Sequence, residues 1–119
     1  MPESVELLLR RNLFEVFGER DSAKRKGSLV EIWHGEGILV NRDGRHVGRV
    51  EINHTVERLL AKFPDFVFTE LSAPEGFHGV GRIAWGFGLP GQRPVVTGID
   101  VAEASSGKLR LLFAFIDPK

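Results

Sequence analysis

The chain has 119 residues, sixteen basic and sixteen acidic, with 42% hydrophobic residues and no cysteine. That is the size of one domain, residues 1–119, with no room for two cores. The balanced charge provides no field toward nucleic acid or an anionic membrane, and the missing cysteine excludes disulfide scaffolds, thiol chemistry and cysteine–zinc sites.

No apolar run approaches the ~20 residues that cross a bilayer. The acidic start M-P-E-S-V-E has neither the basic end nor the apolar centre of a signal peptide, so the expected location is the cytoplasm. Residues 3–17 set Val5, Leu8, Leu9, Leu13, Val16 and Phe17 at helical spacing, with Ser4 as cap and Gly18 as stop. A second helix is expected from Asp21 or Ser22, carrying Leu29, Ile32 and Trp33 and ending near Gly35. Its basic cluster, Arg20, Lys24, Arg25 and Lys26, reads as a solvated face, because no aromatics are interleaved to stack bases.

Gly37 to Val40 follows as a short strand, closed by the turn N-R-D-G (Asn41 to Gly44), with a brief strand through His46 and Val47 after it. Residues 49–63 predict a third helix with Ile52, Val56, Leu59, Leu60 and Phe63 on its buried stripe, ended by Pro64. Phe66, Phe68 and Leu71 alternate as the next strand. From Gly81 to Asp117, three apolar runs separated by L-P-G-Q-R-P and A-S-S-G-K read as a meander of three antiparallel strands. Helices come early and strands late, which is the pattern of an α+β fold with its helices on one face of a curved sheet.

Alternation within the meander decides what it is for. Ile83, Trp85 and Phe87 share one face of the first strand; Val96, Gly98, Asp100 and Ala102 share one face of the second. In the third, Leu112, Ala114 and Ile116 alternate with Leu109, Leu111, Phe113 and Phe115. The last two strands are apolar on both faces, so both must be covered. A second copy of the chain, docked through Leu111, Phe113 and Phe115, is the expected cover on the outer side. Phe113→Glu should then break the assembly, while changes at Lys119 should do nothing.

Asp100 is the one carboxylate placed among these apolar residues. Buried there it must be protonated, paired or in contact with water. It reads either as a pocket acid that polarises a ligand oxygen or as a structural acid bonded to Trp33, Trp85 or a histidine. His78, in the glycine-rich stretch G-F-H-G-V-G, is a candidate acid or base; His34 reads as a helix-end residue, and His46 and His54 as surface. The four histidines lack ligand spacing, so no metal is expected. Arg82 and Arg93 are expected on the outer face or in a turn.

These pieces resemble the nuclear transport factor 2-like superfamily, which includes ketosteroid isomerase and SnoaL-type polyketide cyclases. The resemblance rests on E-I-W-H-G-E-G-I-L-V-N-R-D-G (Glu31 to Gly44), V-G-R (Val47 to Arg49), G-R-I-A-W-G-F-G, V-T-G-I-D and the last strand. It is similar above all to small SnoaL-like proteins with an R-x-x-W-x-F-G strand followed by G-x-D. The resemblance implies a cone: a curved sheet around an apolar pocket closed by three helices, usually a homodimer. Trp33, Trp85, Phe87, Leu13, Ile83, Leu112, Ala114 and Ile116 would then line the pocket. It also puts Asp100 on the position of the isomerase's hydrogen-bond-donating acid. Asn41 falls on the position of its general base and Leu13 on that of its tyrosine, so the chain is not a steroid isomerase by that mechanism. What the resemblance implies is a small-molecule protein without cofactor that binds or transforms an apolar, polyketide-, steroid- or terpene-like ligand. Asp100 would be its acid, with Asn41 and His78 orienting ligand or water. The alternative is a non-catalytic dimeric binding or protein-interaction module.

Overall fold

The computed structural model describes residues 3–118; Met1 and Pro2 of the acidic start, and Lys119, lie outside the described residues. The first helix opens as α1 (Val5–Arg11) and continues as a π-helical stretch over Asn12–Phe17. Ser4 Oγ accepts from the Leu7 amide at 3.2 Å and Gly18 ends the helix. Next come α2 (Ser22–Ile32), β1 (Trp33–Asn41), β2 (Gly44–Val47) and α3 (Arg49–Lys62). Five strands complete the chain: β3 (Val67–Glu70), β4 (Glu75–Phe77), β5 (Val80–Gly88), β6 (Val96–Ser105) and β7 (Lys108–Ile116).

The strands form one curved sheet in the order β2-β1-β7-β6-β5-β3, with β4 pairing a separate part of β5. β1 and β7 run parallel and every other pair is antiparallel. The three helices pack on one face and close over Trp33, Leu39, Phe68, Ile83, Trp85, Phe87, Ala102, Leu109 and Leu112. This is the α+β arrangement that the order of elements implied.

Several local expectations change. The second helix stops at Ile32, and Trp33 begins β1, which is longer than the expected Gly37–Val40. Phe66 precedes β3 and does not belong to it. A short strand, β4, precedes β5 and forms a hairpin with it, and His78 stands at the turn between them with φ 51°. Leu109 faces the core, fully buried, because a register shift between β6 and β7 places Ala104 opposite Leu109 and Glu103 opposite Leu111. The extra residue, Arg110, reverses the alternation that had put Leu109 outside.

The basic cluster is a solvated face only in part: Lys24 and Lys26 are exposed, but the two arginines are engaged. Arg25 is buried and donates to Asn53 Oδ1 at 2.6 Å, to the Glu19 carbonyl at 2.6 Å and to Glu57 Oε1 at 2.9 Å. Arg20 donates to the carbonyls of Leu60, Phe63 and Phe66, around the end of α3. Arg49 does the same for Leu29, Val30 and Trp33 at the end of α2. Carbonyls at a helix C-terminus lack intrahelical partners and carry partial negative charge, so each guanidinium both satisfies and neutralises a helix end. These contacts fix α2 and the segment before it against α3.

Candidate functional site

Between the helices and the inner face of the sheet lies a cavity of about 720 Å³. Leu13 and Phe17 enter it from the π-helical stretch, Leu59 from α3 and Phe63 from just past its end, Phe68 from β3, and Trp85 and Phe87 from β5. Val96 and Asp100 on β6 and Ala114 and Ile116 on β7 complete its floor and far wall. The wall is an aromatic cluster. Phe68 stacks on Phe87 with ring centres 4.3 Å apart, Trp85 meets Phe68 edge-on at 5.8 Å, and Phe63 meets Phe87 edge-on at 5.7 Å.

Asp100 is the only acid set into this apolar floor; it is 6% exposed. Its place follows from a neighbour that has no side chain. Trp85 pairs across the β5–β6 ladder with Gly98. A Cβ there would collide with the indole ring and come within 2.5 Å of the Phe115 carbonyl oxygen. Glycine therefore lets the indole lie across β6, where Nε1 donates to Asp100 Oδ1 at 2.9 Å. No other hydrogen bond from the described residues reaches the carboxyl group, and Oδ2 is not among the fully enclosed unpartnered atoms. Burial pushes the Asp100 carboxyl up from an ordinary 3.8 to about 7, with the Trp85 indole pulling weakly the other way.

The other expected site residues divide. Leu13, Trp85, Phe87, Ala114, Ile116, Asn41 and Asp100 line the cavity. Trp33, Ile83 and Leu112 do not: all three are at most 1% exposed and belong to the closed core beside it. Trp33 is held there by Asn12, whose Oδ1 accepts the indole proton at 2.8 Å. His78 is exposed at the β4–β5 turn and does not reach the cavity. His34 sits on β1, its Nε2 2.8 Å from the Ser105 carbonyl oxygen. His46 is half-buried rather than free on the surface, with Nε2 3.1 Å from Asn41 Oδ1.

Asn41 reaches the cavity at the end of β1, but its amide oxygen is occupied. It accepts from the Asp43 backbone amide at 2.9 Å, closing the β1–β2 turn as an Asx turn does. That turn presents Asp43, a carboxylate that the sequence reading passed over, to the same cavity. Thr55, Arg58 and Lys62 on α3 were passed over too. With Leu59 they occupy positions i, i+3, i+4 and i+7 of one helical stripe, a spacing visible in the sequence. Which way the stripe points is not. Among the described residues, no three of His, Asp and Glu converge as a metal site would require.

No protein-family model and no curated protein matches the sequence. Solved structures do. A candidate isomerase of the SnoaL-like family from Agrobacterium tumefaciens is 22% identical, with 94% of this chain and 96% of that one superposing at a TM-score of 0.86. A candidate SnoaL-like polyketide cyclase from Jannaschia is 10% identical, covering 98% and 89% at 0.76. A nuclear transport factor 2-like protein of unknown function from Cytophaga hutchinsonii is 9% identical, covering 98% and 93% at 0.70.

Proposed function

The chain has the nuclear transport factor 2-like fold, and from that premise we propose that its cavity binds an apolar small molecule, with protonated Asp100 donating a hydrogen bond to a carbonyl or epoxide oxygen of the ligand. The observation that carries this reading is one buried carboxyl group, hydrogen-bonded on a single oxygen, in the floor of an aromatic-lined cavity of about 720 Å³. A carboxylic acid kept neutral by apolar surroundings can donate to an oxygen on which negative charge develops. Chemistry on such a ligand, such as isomerisation, cyclisation, dehydration or epoxide opening, also needs a proton acceptor. The Asn41 amide cannot serve, and His78 stands outside the cavity. Asp43 is the carboxylate within reach of the same ligand. Proton transfer of this kind runs on side chains alone.

The test compares 2-acetylnaphthalene with 2-ethylnaphthalene, matched in shape and differing in the carbonyl group. Both should raise the Tm of the wild type, since a ligand that binds only the folded state stabilises it. The ketone should bind about three- to tenfold more tightly, as one net hydrogen bond allows. Asp100→Ala should erase that advantage and leave the hydrocarbon unaffected. Binding of neither compound would remove the ligand-binding reading. Equal binding of both would remove the role of Asp100.

We also propose that the chain forms a homodimer through the outer face of the sheet. Ile38, Val40, Ile99, Val101, Leu111 and Phe113 are half-buried there, and Phe115 is 61% exposed. The pairs Ile99–Phe115, Val101–Phe113 and Val40–Phe113 put these side chains on one continuous apolar surface. Light scattering at micromolar concentration should give the mass of a dimer, and Phe113→Glu should give monomer or insoluble protein. A monomeric wild type would refute the assembly.

A further inference from the structure

The open end of the cavity carries charge that its apolar interior does not use. Arg58 and Lys62 both line it, both are exposed, and they stand one helical turn apart on α3. Every other arginine that touches the fold's interior is committed: Arg25 to Asn53 and Glu57, Arg20 and Arg49 to helix-end carbonyls. Arg58 makes only a 3.3 Å contact to Thr55 Oγ1, and neither it nor Lys62 pairs with an acid among the described residues. Thr55 sits one turn before them and lines the cavity as well. Among the described residues that line this end the one acid is Asp43, on the β1–β2 turn, against the two cations.

We infer that the ligand of this cavity is amphipathic, an apolar body ending in an oxyanion, carboxylate or phosphate monoester, which Arg58 and Lys62 hold at the rim. This rests on the ligand-binding reading above and narrows its substrate class. The geometry suits such a molecule from both ends. Leu59 on α3 and Phe63 just past its end line the same cavity beside the cations, so a chain or ring system within it can leave its polar end at the rim. A guanidinium fork offers two parallel N–H donors to an oxyanion, and a neighbouring ammonium adds a point charge. Asp100, on the buried floor, remains free to address an oxygen at the other end of the same ligand.

The experiment follows the fluorescence of the neutral probe N-phenyl-1-naphthylamine in the cavity and its displacement by decanol, decanoate and decyl phosphate. In the wild type at low salt, at least one of the two anions should displace the probe at lower concentration than decanol does. In R58Q/K62Q that anion should lose about three- to tenfold in affinity, the size of two exposed charge-assisted contacts, while decanol and the probe stay unchanged. Decanoate losing more than decyl phosphate would identify a carboxylate ligand, and the reverse a phosphate. Added salt should weaken the anion and not decanol, and Asp43→Asn should tighten the anion. If the probe and decanol bind but the anions respond identically in wild type and R58Q/K62Q, the oxyanion site is refuted and the apolar cavity stands. If the probe and decanol do not bind at all, both readings fall.

Discussion

Asp100→Asn should stabilise the protein at pH 8 and leave its stability almost unchanged at pH 4. Burial pushes the Asp100 carboxyl up to about 7 in the folded state, against 3.8 for an ordinary aspartate. The folded protein therefore holds a proton between these values that the unfolded chain has released. Stability from this group is full below about pH 4, declines as pH rises toward 7, and stays at its lower level above that. At about 1.4 kcal/mol per pH unit, the difference between the two ends is of the order of 4 kcal/mol. Asparagine keeps the shape, accepts the Trp85 N–H through its oxygen, and never ionises. Denaturant midpoints of both proteins at pH 4, 6 and 8 should converge at the acid end and separate by about 2–4 kcal/mol at the alkaline end. Asp21, Glu57 and Glu70 are held below the usual carboxylate range, Asp21 by the Lys24 backbone amide, Glu57 by the Ser22 hydroxyl and Glu70 by the Arg10 guanidinium. They contribute stability that is lost as pH falls, but equally in both proteins, so the difference isolates Asp100. Parallel profiles across the range would mean that the folded carboxyl titrates normally and is not held protonated by the cavity.

Arg25→Met should cost about 3 kcal/mol, the size expected for leaving two buried acceptors without donors. The methionine stem replaces most of the volume but none of the three donors. Asn53, itself 5% exposed, loses its 2.6 Å partner, and the Glu19 carbonyl loses another. Buried acceptors without donors carry the full desolvation penalty. Glu57, 44% exposed, rehydrates and adds little. The Tm should fall by about 10 °C for a domain of this size. Arg25→Lys should fall between the two, since one ammonium cannot span acceptors on the α2 approach and on two turns of α3. A loss below about 0.5 kcal/mol for Arg25→Met would place the residue with ordinary surface changes and contradict the network described here.

The three helices, the late strands, the turn at Asn41–Gly44 and the apolar character of both sheet faces were legible because each is written in local periodicity or in a turn residue. Leu8, Leu9, Leu13 and Val16 had to share a face whatever lay opposite. Trp33 was misplaced for the converse reason. Helical spacing continues through it, and only pairing with β7, together with the bond from its indole to Asn12, makes it the first residue of a strand and part of the sealed core. Arg25 read as solvated because its neighbours in sequence are solvated; its partner Asn53 is 28 residues away. His78 drew attention for the glycines around it, which belong to the β4–β5 hairpin and do not line the cavity.

The sequence by itself determined the α+β order of elements and the place of one acid, Asp100, among the apolar residues of one strand face, because period-two alternation assigns a residue to a face without any knowledge of what covers it. Only the tertiary structure decided that the face encloses an open cavity, and that Gly98 lets Trp85 rather than Trp33 reach the acid. It alone decided that Asp43, Arg58 and Lys62 border that cavity. These depend on how distant segments cross, and crossing is set by packing between elements far apart in the chain.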